Sequence, residues 1–238
     1  MNIKKAFLSA IDDFRLVNAK DRICIGFSGG KDSLILTYLL SELLQWKRLE
    51  ISVRAVHVIQ TKEDANLFSQ YYEKLLRSWN VELTLISVPA ACPVDGPSSC
   101  YSCSIQRREQ LMHFAYAQGY TKIALGHHLD DILTTFLMNS CLHGKAEAMA
   151  VRRFYPSFGV TLIRPLAYIS EESISRFVQK EGWPTITCQC ASKNIDSRLD
   201  FRKRLECLTR GSLEQKRKLF TALQSLGAVS DMEIHFGK

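Results

Sequence analysis

The sequence predicts an α/β fold, a parallel five-stranded sheet covered by helices and followed by a helical C-terminal appendage. Three observations predict it. Short apolar runs alternate with stretches of helical periodicity, the pattern of strands joined by crossover helices. The first run closes on Ser-Gly-Gly directly before a Leu-rich helical stretch, a strand-to-helix turn of the kind parallel sheets use. The 238 residues are 46% hydrophobic with 12 Gly and 6 Pro, which fills a full-sized core and excludes a disordered or fibrous chain.

Residues 3–18 form an amphipathic helix with Ile3, Ala6, Phe7, Ala10, Ile11 and Phe14 on one face. Arg22–Phe27 (RICIGF) is a buried strand, and residues 33–46 are a helix covered on most sides. Arg54–Ile59 is the second strand, Lys62–Trp79 the next helix, and Glu82–Val88, ending at Pro89, the third strand. Residues 104–118 are helical, Lys122–Leu125 is a strand, and Asp130–Leu142 is helical. Val160–Ile163 is the fifth strand, before Arg164-Pro165. Ser170 caps the following helix, with Glu171 and Glu172 in its first turn, where carboxylates favour the helix dipole. The alternation fades after Pro184. That divides the chain into an α/β domain over 1–184 and a cysteine loop with a basic helical tail over 185–238, packed on the same domain.

No apolar run approaches the roughly 20 residues of a membrane span. The opening MNIKKAFLSAIDDF is interrupted by Asp12 and Asp13, unlike a signal peptide. The expectation is a cytoplasmic protein with reduced thiols, whose 8 cysteines point to metal or redox chemistry before disulfides. The net charge is +7, and five units of it fall between Arg198 and Lys218, where eight basic residues face three acidic ones. Such a segment suits a nucleic-acid backbone and equally suits a solvated helix face.

The clearest chemical motif is Ser28-Gly29-Gly30-Lys31-Asp32-Ser33, between the first strand and its helix. Its glycines let the backbone approach an anion closely, and the helix start turns unpaired N–H groups towards it. Ser28 and Ser33 supply hydroxyls, Lys31 a positive charge, and Asp32 an oxygen for Mg²⁺. Neither a Walker A loop nor a dinucleotide fingerprint is present. The motif resembles the PP-loop of the ATP pyrophosphatase superfamily, which implies a Rossmann-like sheet and adenylation of a substrate with release of pyrophosphate. Gly126-His127-His128-Leu129-Asp130-Asp131 resembles that superfamily's second motif, and Arg164-Pro165-Leu166 its phosphate-closing segment. By this resemblance Lys31, Asp32, Asp130 and Asp131 serve the chemistry, with Asp131 the expected Mg²⁺ ligand. Gly126, His127, Arg164 and, through its backbone, His57 adjoin the nucleotide.

Cys100-Tyr101-Ser102-Cys103 lies in a Pro/Gly/Ser-rich loop entering a helix, and Cys188-Gln189-Cys190 follows far downstream. Four thiolates in two loops suit Cys₄ zinc or an iron–sulfur cluster, and a redox pair or unliganded thiols are the other readings. Cys24 reads as core, and Cys92, Cys141 and Cys207 as packing residues. The order of these motifs, with Cys103-Ser-Ile-Gln-Arg-Arg108 and Arg164-Pro-Leu-Ala-Tyr-Ile-Ser-Glu-Glu-Ser-Ile174, resembles the tRNA 2-thiocytidine synthetase family over residues 5–205. That resemblance implies a [4Fe-4S] cluster on Cys100, Cys103 and Cys190, with Cys188 as the alternative third ligand. A persulfide on Cys188 or Cys190 is the competing sulfur route. It also implies ATP, Mg²⁺ and tRNA, with cytidine 32 of the anticodon loop as target, a sulfur donor such as a cysteine desulfurase, and a homodimer as an option. Another PP-loop tRNA-modifying enzyme with structural zinc, either a 2-thiouridine synthetase or a lysidine-type ligase, is the alternative. A non-catalytic RNA-binding redox module is the alternative from a different class.

Overall fold

A computed structural model describes residues 2–47, 50–59, 62–87, 99–186 and 195–229. Six strands form one sheet in the order β3-β2-β1-β4-β6-β5: β1 (Arg22–Gly26), β2 (Ser52–Ile59), β3 (Glu82–Ser87), β4 (Lys122–Ala124), β5 (Arg152–Tyr155) and β6 (Val160–Ile163). The five strands read from the sequence are all present and mutually parallel. The expected count of five is corrected to six by β5, which pairs antiparallel with β6 at the sheet edge. Its Arg152-Arg153-Phe154-Tyr155 carries no apolar run. It is an edge strand folded back through a 3-10 turn at Pro156–Phe158 and Gly159, whose φ is +61°.

Eight α-helices complete the described fold: α1 (Ile3–Asp13), α2 (Lys31–Lys47), α3 (Lys62–Ser78), α4 (Ser99–Ala117), α5 (Leu129–His143), α6 (Glu171–Glu181), α7 (Ile195–Thr209) and α8 (Leu213–Ser225). The first helix ends at Asp13, short of residue 18, because Arg15 takes a left-handed conformation, φ 48°, and the chain reverses to bury Leu16.

Side chains alternate across the pleat, so neighbouring positions of β1 serve different cores. Ile23 and Ile25 join the largest cluster with residues of α1, α2, α5 and α6, and with Leu205, Phe220 and Leu223 of α7 and α8. Cys24 turns the other way, onto Leu111, Met112 and Ala115 of α4. Its burial pushes the thiol up to about 12, as suits a core cysteine. A third cluster joins Phe27, Leu34 and Ala55 to Phe68, Tyr72 and Leu76 of α3.

The topology locates the functional edge. From β1 the chain winds outward to β2 and β3, then returns to lay β4 against the opposite side of β1. That reversal is a switch point, where open α/β sheets leave a crevice beyond the strand C-termini. The Ser28–Ser33 loop leaves β1, and Gly126–Asp131 leaves β4, at that point.

Candidate active site

The loop after β1 is held by its own hydroxyls and by α3. Ser28 Oγ donates to Ser33 Oγ at 3.2 Å, and Ser33 Oγ is placed to donate to Gly30 O at 2.9 Å. Gly29 has φ +75°, and a Cβ there would lie 2.9 Å from Phe68 Cζ and 3.0 Å from Tyr72 Cε2. Glycine is therefore required twice over, by backbone conformation and by the aromatic wall. Tyr72 Oη donates to Gly29 O at 2.7 Å, and Ile186 N–H lies 3.0 Å from Gly29 O and 2.9 Å from Tyr72 Oη. Gly126 meets the other flank. A Cβ there would stand 3.0 Å from the backbone carbonyl of Asp32, so β4's exit loop presses directly on the start of α2.

Four carboxylates gather at this point, with different partners. Asp32 Oδ1 is buried without a hydrogen-bond partner among the described residues, while Oδ2 accepts from Lys31 Nζ at 3.3 Å. Burial raises the Asp32 carboxyl above its ordinary range, against the pull of His128 and Lys31. Asp130 is committed to the fold: Oδ1 accepts from Lys216 Nζ at 2.7 Å and Oδ2 from Glu171 N at 2.8 Å. Asp131 Oδ1 accepts from Arg202 Nη2 at 2.6 Å and Arg198 Nη2 at 3.0 Å, and Oδ2 from His128 N at 3.2 Å. Burial opposes ionisation of Asp131, but His128 and the arginines outweigh it and hold its carboxyl well below the usual range. Glu171 links Lys31, at 3.0 Å, to Arg202.

The histidines divide as well. His128 is 1% exposed, with Nε2 3.3 Å from Asp131 Oδ2 and 3.9 Å from Asp32 Oδ1, so it spaces the carboxylates. His127 Nδ1 accepts from Arg164 Nε at 3.3 Å. Burial, then the Arg164 charge, pushes its imidazole down to about 3, so it stays neutral. Arg164 also donates to Ala150 O, so its guanidinium is held between β4's exit loop and the segment before β5. His57 stacks on Phe68 with ring centroids 3.4 Å apart and bonds Phe27 O through Nδ1 at 2.7 Å, beside the phosphate loop.

A hard divalent cation fits this donor set. Asp32 offers a buried oxygen with no hydrogen-bond partner among the described residues, and Asp131 lies across His128 from it. No group of three or more His, Cys, Asp or Glu among the described residues makes a ready metal cage. Mg²⁺ is usually held by one or two carboxylates together with substrate phosphates.

Cys100 and Cys103 fall in the first turn of α4, so they share a helix turn and not only a loop. Their donor type and spacing fit a soft, thiolate-bound iron–sulfur group. Cys188 and Cys190 lie outside the described residues, as does Cys92. The described residues before them end at Ile186, which is bonded to the phosphate loop. Cys141 and Cys207, read as packing residues, are exposed.

Within the basic tail, read from the sequence as an RNA-facing or solvated surface, Arg198, Arg202 and Lys216 form ion pairs with Asp131, Glu171 and Asp130. These three, with Glu171 and His128, are the site residues the sequence reading missed. The available signal was an acidic pair and a glutamate with no assigned counter-charge.

A family model described as a PP-loop domain matches residues 2–205. The tRNA-cytidine(32) 2-sulfurtransferase of Bdellovibrio bacteriovorus is 30% identical over 228 residues, covering 94% of this chain and 86% of that protein. This chain belongs to the PP-loop tRNA-cytidine(32) 2-sulfurtransferase family. The family enzyme of Xanthomonas campestris pv. campestris is 33% identical over 235 residues, covering 95% of this chain and 76% of that one. The fold is shared with the U34-tRNA thiolase NcsA from Methanococcus maripaludis, solved with its [4Fe-4S] cluster. The TM-score is 0.73 at 19% identity, over 98% of this chain and 85% of that one. In this chain the phosphate loop, the Gly126–Asp131 motif and Arg164 converge on one crevice. Among the described residues no helix is long and apolar enough to cross a membrane.

Proposed function

We propose that this chain uses ATP to activate the C2 oxygen of a tRNA pyrimidine, cytidine 32, and replaces that oxygen with sulfur. The observation that carries the reading is the Ser28–Ser33 loop at the β1/β4 switch point, with Asp32 Oδ1 buried beside it and without a hydrogen-bond partner among the described residues. The loop backbone and the Ser28 and Ser33 hydroxyls bind phosphate, and Lys31 neutralises it. The pyrimidine oxygen attacks the α-phosphate and pyrophosphate leaves; sulfur then displaces AMP from C2. Asp32 holds Mg²⁺, which neutralises developing phosphate charge when bound. Neutral His127, fixed by Arg164, presents its other ring nitrogen without adding charge. Cys100, Cys103 and Cys190, or Cys188, hold a [4Fe-4S] cluster, which supplies an iron able to carry nucleophilic sulfur.

The test combines the anaerobically reconstituted protein with unmodified tRNA, ATP, Mg²⁺ and sulfide. Pyrophosphate release that requires tRNA, with 2-thiocytidine found by nucleoside mass spectrometry, is the expected result. A protein that holds zinc and no iron, and releases no tRNA-dependent pyrophosphate, overturns it. A cysteine desulfurase is the expected cellular sulfur donor.

A further inference from the structure

The lysine of the phosphate loop is already occupied. Lys31 Nζ lies 3.0 Å from Glu171 Oε1, and the second oxygen, Oε2, accepts from Arg202 Nη1. One carboxylate therefore spans a cation from the β1–α2 turn and a cation from α7, with one oxygen on each. Arg202 also reaches Asp131 Oδ1 at 2.6 Å through Nη2, so its planar fork is set between two acidic groups. Glu171 is the first residue of α6, and its backbone N–H is committed to Asp130. Its attachment point is therefore fixed independently of its carboxylate, which is held by the two cations. The side chains of Lys31, Glu171 and Arg202 are 29%, 32% and 23% exposed, so an anion arriving from solvent can reach all three. Lysine and arginine facing each other across an anionic oxygen pair is the arrangement that recognises a phosphate group.

We propose that Lys31 and Arg202 form the two sides of a phosphate subsite, which Glu171 fills in the nucleotide-free chain as an internal competitor. The proposal rests on the ATP reading above. In the free chain Glu171 relieves the repulsion of two facing cations. When the triphosphate enters, its oxygens replace the carboxylate on Lys31 and Arg202, and the Glu171 side chain swings to solvent. Arg202 thereby becomes a phosphate-binding residue contributed from the C-terminal part of the chain.

The test measures direct binding of ATP and of pyrophosphate, with Mg²⁺ and without tRNA, by calorimetry on the full chain. Glu171→Gln removes the competitor and is expected to tighten both ligands roughly threefold to tenfold. Arg202→Gln is expected to weaken both roughly tenfold, with Arg202→Lys recovering part of the loss. Thermal unfolding of the unliganded variants measures any structural cost separately. If Glu171→Gln weakens binding along with Arg202→Gln, the glutamate is scaffold and the proposal is overturned. Lower melting temperatures with unchanged affinities overturn it too. A wild-type chain that binds neither ligand overturns the ATP reading itself.

Discussion

Lys216 Nζ lies 2.7 Å from Asp130 Oδ1, with the lysine 5% and the aspartate 1% exposed. This is a buried ion pair between the second residue of α5 and α8, 86 residues apart. Replacing one partner leaves the other charge buried, which typically costs about 3–5 kcal/mol. Lys216→Met should lower unfolding stability by about that amount, read from urea denaturation. Lys216→Met with Asp130→Asn should recover part of it. Equal stability of the single variant and wild type would show that the pair contributes nothing.

Gly29 and Gly126 make different demands. Gly29→Ala meets both a positive φ and the Phe68–Tyr72 wall, while Gly126→Ala pushes on the Asp32 backbone at 3.0 Å. Both should cost roughly tenfold or more in kcat/KM for ATP-dependent pyrophosphate release. Gly30→Ala, whose nearest contact is Ser28 Oγ at 3.5 Å, should cost less for steric reasons.

His127 makes stability pH-dependent. It titrates near 3 in the folded chain against 6.5 for an ordinary histidine, so the unfolded chain takes up a proton that the folded chain refuses. Stability is therefore unaffected above about pH 6.5 and falls as pH drops towards 3, with up to about 2 kcal/mol lost at about pH 5. Asp131 and Glu171, held below their usual range, add losses of the same sign further down, while Asp32, held above its range, opposes them. His127→Gln should flatten the profile between about pH 6.5 and 5 in urea titrations. An unchanged slope in that variant would assign the dependence to another group.

The thiols give a spectroscopic prediction. Anaerobic reconstitution with iron and sulfide should produce broad visible absorbance, lost in Cys100→Ala and in Cys103→Ala. Cys190→Ala should lose it as well, and Cys188→Ala should keep it. The reverse outcome for the last two identifies Cys188 as the third ligand.

Much of this site was legible because glycine spacing and strand ends are local signals. Ser28–Ser33 and Gly126–Asp131 sit after β1 and β4 as their patterns require. What the sequence hid depends on tertiary placement. Asp130 and Asp131 look equivalent in sequence, yet a one-residue rotation on α5 aims Asp130 at Lys216 and Asp131 at Arg198 and Arg202. The sign of a charged helix can be read along a chain, but the direction its side chains face cannot. The edge strand β5 was illegible for a similar reason: two arginines open it, and only its pairing with β6 makes it a strand.

The position of Lys216 also constrains synthesis. The PP-loop match ends at residue 205, yet the counter-charge for Asp130 comes from α8, and Val229 O accepts from Val151 N at 3.0 Å to tie the final turn to β5's entrance. While the nascent chain is still short of α8 on the ribosome, Asp130 lacks the lysine that neutralises it in the finished fold. A chain released early would therefore carry the whole recognisable motif series and still lack a finished site.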